Sequence, residues 1–289
     1  MSMEEVLNLF QEKSSGKVSS VYKVYMAMLR RAKIRFNYKT WMLFDFATTI
    51  FNVFTYFLLS FIILPQQVVA AGYGESYFTF AVIGLAVSHY ITAGLRSLAM
   101  TIRLEQFYGT IESVLSTPTD FVILFLGDLL YYVLYSSIFL IIILPLGIML
   151  GAKIVVNIYT LLTLILLVLL LVLSNLPIGI LSAAMVMKFK QGDPIGWALT
   201  WINQLFGGTF FPITILPPSL RIISFGLPLT YALDAIRYSL IWGVTIFHPR
   251  VLMDTLAMII YTIVGYPIAI KVFRIVYKGA LKEGKLGIY

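Results

Sequence analysis

Side chains able to do acid–base or metal chemistry are few and scattered. The histidines are His89 and His248, cysteine is absent, and Asp45, Asp128 and Asp234 stand singly within apolar stretches. Neither histidine belongs to an H-E-x-x-H or similar spacing, and without cysteine there is no thiolate nucleophile, disulfide or thiolate metal site. A membrane-embedded enzyme needs Asp, Glu or His clustered on facing helices, a pattern these isolated groups do not make. Nucleotide chemistry is equally unsupported. The phosphate-binding G-x-x-x-x-G-K-[ST] loop is missing, since Gly16-Lys17 has Gln11 at the first glycine position and Gly284-Lys285 is followed by Leu286. ATP-driven work by this chain therefore requires a motor on another polypeptide, and no cofactor is expected on the chain itself.

The charged groups inside apolar runs must pair or meet water, because each costs about 2.5 to 3.5 kcal/mol at a helix centre in lipid. Asp45 lies a turn from one end of its run, where interfacial solvation suffices. Asp128 and Arg96 sit at similar depth and are expected to form a structural ion pair. Asp234 and Arg237 are three residues apart, a helical spacing that pairs them or aims both at a substrate. His89 either packs in the interior or lines a pathway. An ion-coupled carrier or a membrane scaffold is the alternative to an ATP-driven machine. A carrier predicts charged groups across the mid-bilayer and inverted repeats, and the sequence has neither.

The elements that must position these residues follow from composition. Hydrophobic residues make up 60% of the 289 and charged residues 12%, against roughly a quarter charged in soluble domains. The apolar runs exceed the roughly 20 residues that span a bilayer core. Six spans are expected, at 41–64, 77–102, 121–150, 158–187, 194–211 and 252–273. Breaks at Pro145 and Gly147, and at Asn175, Pro177 and Gly179, predict kinks rather than loops. Residues 1–17 lack a cleaved-signal pattern, so the first span is expected to stay in the mature protein.

Before the spans, residues 18–36 place Val18, Val21, Tyr22, Tyr25, Met28, Leu29, Ala32 and Phe36 at helical spacing. Lys23, Arg30 and Lys33 lie largely elsewhere, which predicts a basic amphipathic helix on the inner leaflet. The net charge of +8 comes from Lys and Arg at span ends, not from a nucleic-acid-binding stripe, and no nucleic-acid partner is expected. Positive flanks stay inside. Lys13 to Lys39, Arg103, Lys188, Lys190 and Lys271 to Lys285 mark the cytoplasmic side, leaving Lys153, Arg221, Arg237 and Arg250 outside, so both termini are placed in the cytoplasm. Residues 212–250, punctuated by Pro212, Pro217, Pro218 and Pro228, are too irregular for a span and too apolar for a solvated loop. They predict short helices re-entering the membrane from the outer face.

Two stretches carry a family resemblance. Glu105-Gln106-Phe107-Tyr108-Gly109-Thr110-Ile111-Glu112, running to Leu115 and Pro118, resembles the cytoplasmic segment between spans two and three of the ABC-2 exporter permeases, with Gln106 where Arg is common. Gly207-Gly208-Thr209-Phe210-Phe211-Pro212, Leu216-Pro217 and Pro228-Leu229-Thr230, followed by Asp234 and Arg237, resembles that family's fifth-span exit and re-entrant hairpin. The resemblance implies an all-α membrane protein of six transmembrane helices, with an N-terminal amphipathic interfacial helix and re-entrant helices before the last span. Residues 1–40 would form the cytoplasmic N-terminal region, 41–273 the transmembrane domain and 274–289 a cytoplasmic tail.

It further implies a coupling helix at about 104–117, with Glu105, Gln106, Gly109, Thr110 and Glu112 meeting the ATPase. On one uninterrupted helix Glu105 and Glu112 would share a face about 10 Å long, free to meet basic groups on a partner or simply solvated. By the same resemblance Trp201, Asn203, Phe206 and Phe210 are candidate path-lining residues, and Gly207, Gly208, Phe211, Pro212 and Pro228 shape the re-entrant region. The expected partners are a second membrane subunit, normally an identical one, two ATPase subunits carrying ATP and Mg, and membrane lipids. The expected place is the cell membrane, and the expected cargo a lipid, amphiphilic drug, peptide or glycan moved outward.

Overall fold

The computed structural model describes residues 19–63, 66–110, 113–114, 121–189 and 194–282. Its helices are α1 (Ser20–Asn37), α2 (Lys39–Leu59), the short α3 (Gln66–Ala70), α4 (Tyr77–Phe107), α5 (Phe121–Met149), α6 (Ile158–Phe189), α7 (Pro194–Phe206), α8 (Pro218–Phe225), α9 (Pro228–Trp242) and α10 (Pro249–Lys282). Among the described residues there is no strand.

Among the described residues five helices are long and apolar enough to cross a membrane: Lys39–Leu59, Tyr77–Phe107, Val122–Met149, Ile158–Met187 and Pro249–Gly279. The expected span at 194–211 is a shorter object. Helix α7 has 13 residues, about 20 Å at 1.5 Å per residue, against a hydrocarbon core of about 30 Å. It ends because Gly208 takes a left-handed φ of 82°, which stops a helix without the strain a Cβ would bring. Pro145 and Pro177 lie inside α5 and α6, which continue through them as helices.

Helix α4 is the hub, most of its residues buried, packed chiefly against α6 and α5 and touched also by α2, α7 and α9. Small residues let the backbones approach. A Cβ on Gly94 of α4 would lie 2.8 Å from the Asn175 Cβ of α6, and one on Gly265 of α10 would lie 2.9 Å from the Pro177 Cβ. Ser76 starts α4 by accepting the Thr79 N–H at 3.2 Å, satisfying one of the free amides of the first turn. Leu95, Ile91, Val87 and Ile83 continue the buried face along α4 to Leu229, Leu233 and Ile236 of α9.

Helix α1 keeps its expected aromatic face exposed and docks on the bundle by another. Val21, Tyr22, Tyr25 and Phe36 are exposed, while Arg31 is buried. The docked face runs through Val24, Ala27 and Met28, which close over Gly127 of α5 so tightly that a Cβ there would sit 2.8 Å from the Met28 amide nitrogen. The aromatic side is thus turned away from the rest of the protein, and an arginine side is turned in.

Candidate functional site

Two clusters gather most of the residues singled out from sequence. At the basic end of the bundle, three arginines of α1 each grip an acid on a different long helix. The Arg30 Nη2 donates to Glu105 Oε1 of α4 at 2.6 Å, the Arg31 Nη2 to Asp128 Oδ2 of α5 at 2.7 Å, and Arg35 pairs with Asp45 of α2. The hydroxyls of Thr101 and Tyr135 join in, donating to Asp128 and Asp45 at 2.7 Å each. Arg31 also lies over the Tyr132 ring at 5.6 Å, a cation–π contact. The expected partner of Asp128 was Arg96; the docked α1 supplies Arg31 instead. Asp45, expected to rely on interfacial water, has Arg35 and Tyr135.

The end of α4 explains the Gly-Thr pair. The Gly109 N–H donates to the Gln106 carbonyl at 3.1 Å and the Thr110 N–H to the Glu105 carbonyl at 2.9 Å, while Gly109 takes a φ of 67°. This is a Schellman cap, which occupies the last free carbonyls of a helix and favours glycine at its left-handed residue. The Thr110 hydroxyl donates to Glu105 Oε2 at 2.6 Å. Glu105 is therefore a buried acid held by Arg30 and Thr110, and α4 ends in the cap at Gly109. Gln106 is buried beside it. Glu112, Ile111, Leu115 and Pro118 lie outside the described residues.

The second cluster surrounds the far end of α7. Arg237 of α9 is buried and donates from Nε to the Phe80 carbonyl at 3.2 Å, from Nη1 to Gly208 at 2.7 Å and from Nη2 to Thr209 at 2.8 Å. Its guanidinium carbon stands 3.4 Å over the Phe80 ring. Irregular backbone at membrane depth needs its carbonyls satisfied by protein or water, and Arg237 satisfies those at the break after α7. Gly84 of α4 leaves the space for this: a Cβ there would meet Arg237 Nη2 at 2.5 Å. Gly207 does the same on the other side, where a Cβ would lie 2.7 Å from Leu229 Cδ2.

The expected pairing of Asp234 with Arg237 is not formed. Asp234 instead accepts from Arg250 Nε at 3.0 Å and Nη2 at 2.8 Å, a two-pronged contact across to α10, and from the Tyr73 hydroxyl at 2.7 Å. The two residues are neighbours on α9 but serve different elements. Burial first, and Asp234 second, push the Tyr73 hydroxyl pKa well up, so it stays a donor. Pro228 opens α9 at a position where its missing N–H is harmless, and Pro212 is buried at the turn.

The candidate path residues separate. Asn203 is buried and donates from Nδ2 to the Leu199 carbonyl at 3.0 Å, whereas Trp201 is exposed and meets Trp197 edge to face. Phe206 and Phe211 are half-buried, and Phe210 stacks on Tyr56 of α2 at 5.8 Å. His89 stacks on Phe139 at 4.4 Å and borders a cavity. His248 packs against Tyr238. Sequence reasoning missed Arg30, Arg31 and Arg35 as clamps, along with Tyr73, Tyr135 and Arg250. The available signal was numerical: three arginines within two turns of α1 and an acid near one end of each of three long helices. Among the described residues no group of three or more His, Asp or Glu could hold a metal.

Long apolar helices around a buried hub, a short helix broken at paired glycines and an ion-paired rim define a multi-pass helical membrane protein of the permease kind. A profile of the ABC-2 type transporter family matches residues 24–241, and the chain belongs to that family. The match runs from α1 almost to the end of α9 and leaves α10 outside. Comparison with curated proteins finds no match.

Proposed function

We propose that the chain is the membrane subunit of an ATP-driven exporter, working as a pair of such subunits with two cytoplasmic ATPase subunits that bind ATP and Mg. The observation that carries this is the family match over residues 24–241. The segment around 104–117 receives the ATPase movement, with Glu105, Gln106, Gly109, Thr110 and Glu112 as its coupling residues. Helix α4, with 31 residues, is about 46 Å long, enough to span the roughly 30 Å core and project beyond it.

In this reading α7 and the irregular backbone to Pro212 make the sixth crossing, supported by the Arg237 hydrogen bonds that satisfy this backbone. Helices α8 and α9 re-enter from the outer face, and both termini face the cytoplasm, as the Lys and Arg distribution supports. The cargo is a lipid, amphiphilic drug, peptide or glycan moved outward between the two membrane halves, along faces that include α4 and α7.

The test is co-purification with the candidate ATPase, followed by ATP turnover in nanodiscs for wild type, Glu112→Ala and Thr110→Val. Association, with turnover lowered in the variants, is expected. Failure of the ATPase to associate under any nucleotide condition removes the ATP-driven reading.

A further inference from the structure

Besides the cavity of ≈ 590 Å³ enclosed by α1, α2, α4 and α5, the structure holds a smaller one of ≈ 160 Å³ where α9, α10, the turn after α7 and the segment before α4 meet. Its walls carry four charged side chains, Asp234 and Arg237 of α9 and Arg250 and Asp254 of α10. Three of them have partners. Arg250 and Tyr73 donate to Asp234, and Arg237 is occupied by the carbonyls of Phe80, Gly208 and Thr209. Asp254 is the exception. Its Oδ2 is buried without a hydrogen-bond partner, and the side chain within its hydrogen-bonding reach is another acid, Asp234.

Two carboxylates in contact cannot both stay ionised unless a cation or a proton lies between them. Among the described residues Arg250 is the one cation acting on Asp254, and its Nε and Nη2 already point at Asp234. Arg221 of α8 donates to the Leu216 and Thr214 carbonyls. Helix α6 packs against both α9 and α10, and along 158–187 Tyr159 is its sole ionisable side chain. His248, just before α10, packs on Tyr238 and accepts the Arg250 N–H at 3.4 Å. Tyr231, also on the wall, donates to the Phe225 carbonyl at 3.0 Å. A proton on Asp254 Oδ2 resolves the conflict: it turns an orphaned acceptor into a donor, with the Asp234 carboxylate as the acceptor in reach.

We propose that Asp254 holds a proton and donates it in a hydrogen bond to Asp234, forming a proton-loaded latch that fastens α10 to α9 beside the break after α7. Loss of the proton leaves two carboxylates competing for Arg250, which loosens its two-pronged hold on Asp234 and with it the join between the helices. Arg237, one turn along α9, carries that join on to the turn after α7 and to α4. The folded chain keeps a proton that the unfolded chain gives up above the usual aspartate range of about pH 4. Proton binding therefore stabilises the fold, and stability falls as pH rises through the point at which Asp254 ionises. The latch belongs to the chain by itself and depends on neither an ATPase nor a cargo.

The purified full chain in detergent micelles, carrying isotope-labelled aspartate, is examined at about pH 6 and about pH 9, above free carboxylates and below free tyrosine and lysine. Infrared spectroscopy reads the carboxylic-acid carbonyl stretch, which only a protonated aspartate shows, and thermal melting reads stability. Wild type is expected to show an acid band at the lower pH that Asp254→Asn lacks, and to lose that band at the higher pH. Asn keeps a donor toward Asp234 but has no proton to lose. Wild type is therefore expected to melt close to the variant at the lower pH and below it at the higher, with His89 and His248 cancelling in the comparison. A band that is absent from wild type, unchanged in Asp254→Asn or undiminished at the higher pH overturns the proposal, as does a melting difference that is the same at both. Should Asp254→Asn not fold, Asp234→Asn takes its place: it removes the acceptor and frees Arg250 to pair with Asp254, so the band should vanish at the lower pH, and its survival overturns the latch. No ATPase enters the measurement, so its failure leaves the exporter reading standing.

Discussion

The three arginine clamps of α1 are chemically alike but differ in burial, and burial should rank their energies. The Arg31 and Asp128 side chains are 8% and 0% exposed. Replacing Arg31 with Met keeps the length and apolar stem but leaves Asp128 with the Thr101 hydroxyl alone, and its Oδ1 already lacks a partner. Removing one member of a buried pair costs about 3 to 5 kcal/mol. The Arg35 and Asp45 side chains are 32% and 34% exposed, so Arg35→Met is expected to cost only about 0.2 to 1 kcal/mol. Arg30→Met falls between, because Glu105 is buried while Arg30 is 43% exposed.

The assay is reversible unfolding in mixed micelles, read together with the tryptic susceptibility of α1. A double-mutant cycle sharpens it. Because an apolar pair of similar volume can replace a buried ion pair at little net cost, Arg31→Met with Asp128→Leu is expected to recover most of the single-mutant loss, giving a coupling energy of about 2 kcal/mol or more. The reasoning is refuted if Arg31→Met costs less than about 1 kcal/mol, if Arg35→Met costs as much, or if the two single losses simply add.

Three further outcomes follow from the backbone devices. Arg237→Met strands the carbonyls of Phe80, Gly208 and Thr209 and should cost about 3 kcal/mol or more in the same unfolding assay, with Arg237→Lys intermediate because an ammonium lacks the planar fork. Gly109→Ala should cost about 1 to 2 kcal/mol through backbone strain alone, since no atom lies within 4 Å of the added Cβ, and Gly109→Asn should cost less. Gly84→Ala, which pushes into the Thr209 carbonyl oxygen and Arg237 Nη2, should lose about 1 to 3 kcal/mol, and thermal melting of the purified chain checks it.

The long helices were legible because hydropathy and length are local properties of a segment. Partner choice was not. Asp234 and Arg237 satisfy the i, i+3 rule, yet the demand of three carbonyls drew Arg237 into the interior while Arg250 arrived from α10. Asp128 could be matched by depth to Arg96, but the docking of α1 over Gly127 brought Arg31 closer. Helix α7 was overextended for the opposite reason: residues 207–211 are apolar enough for a span, and a backbone turn at Gly208 ends the helix regardless of composition. The Gly109 cap was visible as a Gly-Thr pair, but its consequence, the end of α4 there with Thr110 tied back to Glu105, required the dihedral angle. The cavity had no sequence signature, since Thr48, Thr92 and Tyr131 come from three helices.

These magnitudes decide how a push on the segment after Gly109 would travel. Bending the end of α4 alone works first against Arg30 and Glu105, a half-exposed contact, but about one turn further in Thr101 is tied to Asp128 and through it to Arg31. That buried junction joins α1, α4 and α5 and is worth several times the outer pair. The three helices should therefore move as one body, while the polar ties of α2 to them are the part-exposed Arg35–Asp45 pair and the Tyr135 hydroxyl, beside the ring contacts Phe46–Phe139 and Phe57–Phe78. The chain has no cysteine, so single introduced links can test this. Locking α1 to α5 through Ala27→Cys and a neighbouring α5 position should leave ATPase-coupled turnover near wild type. Bridging α2 to α4 across the cavity with a bifunctional thiol crosslinker at Thr48→Cys and Thr92→Cys should abolish it, because that link spans the boundary whose ion pair is part-exposed. Equal inhibition by both locks, with each link verified by mass, would show that the α1 clamp itself opens during the cycle.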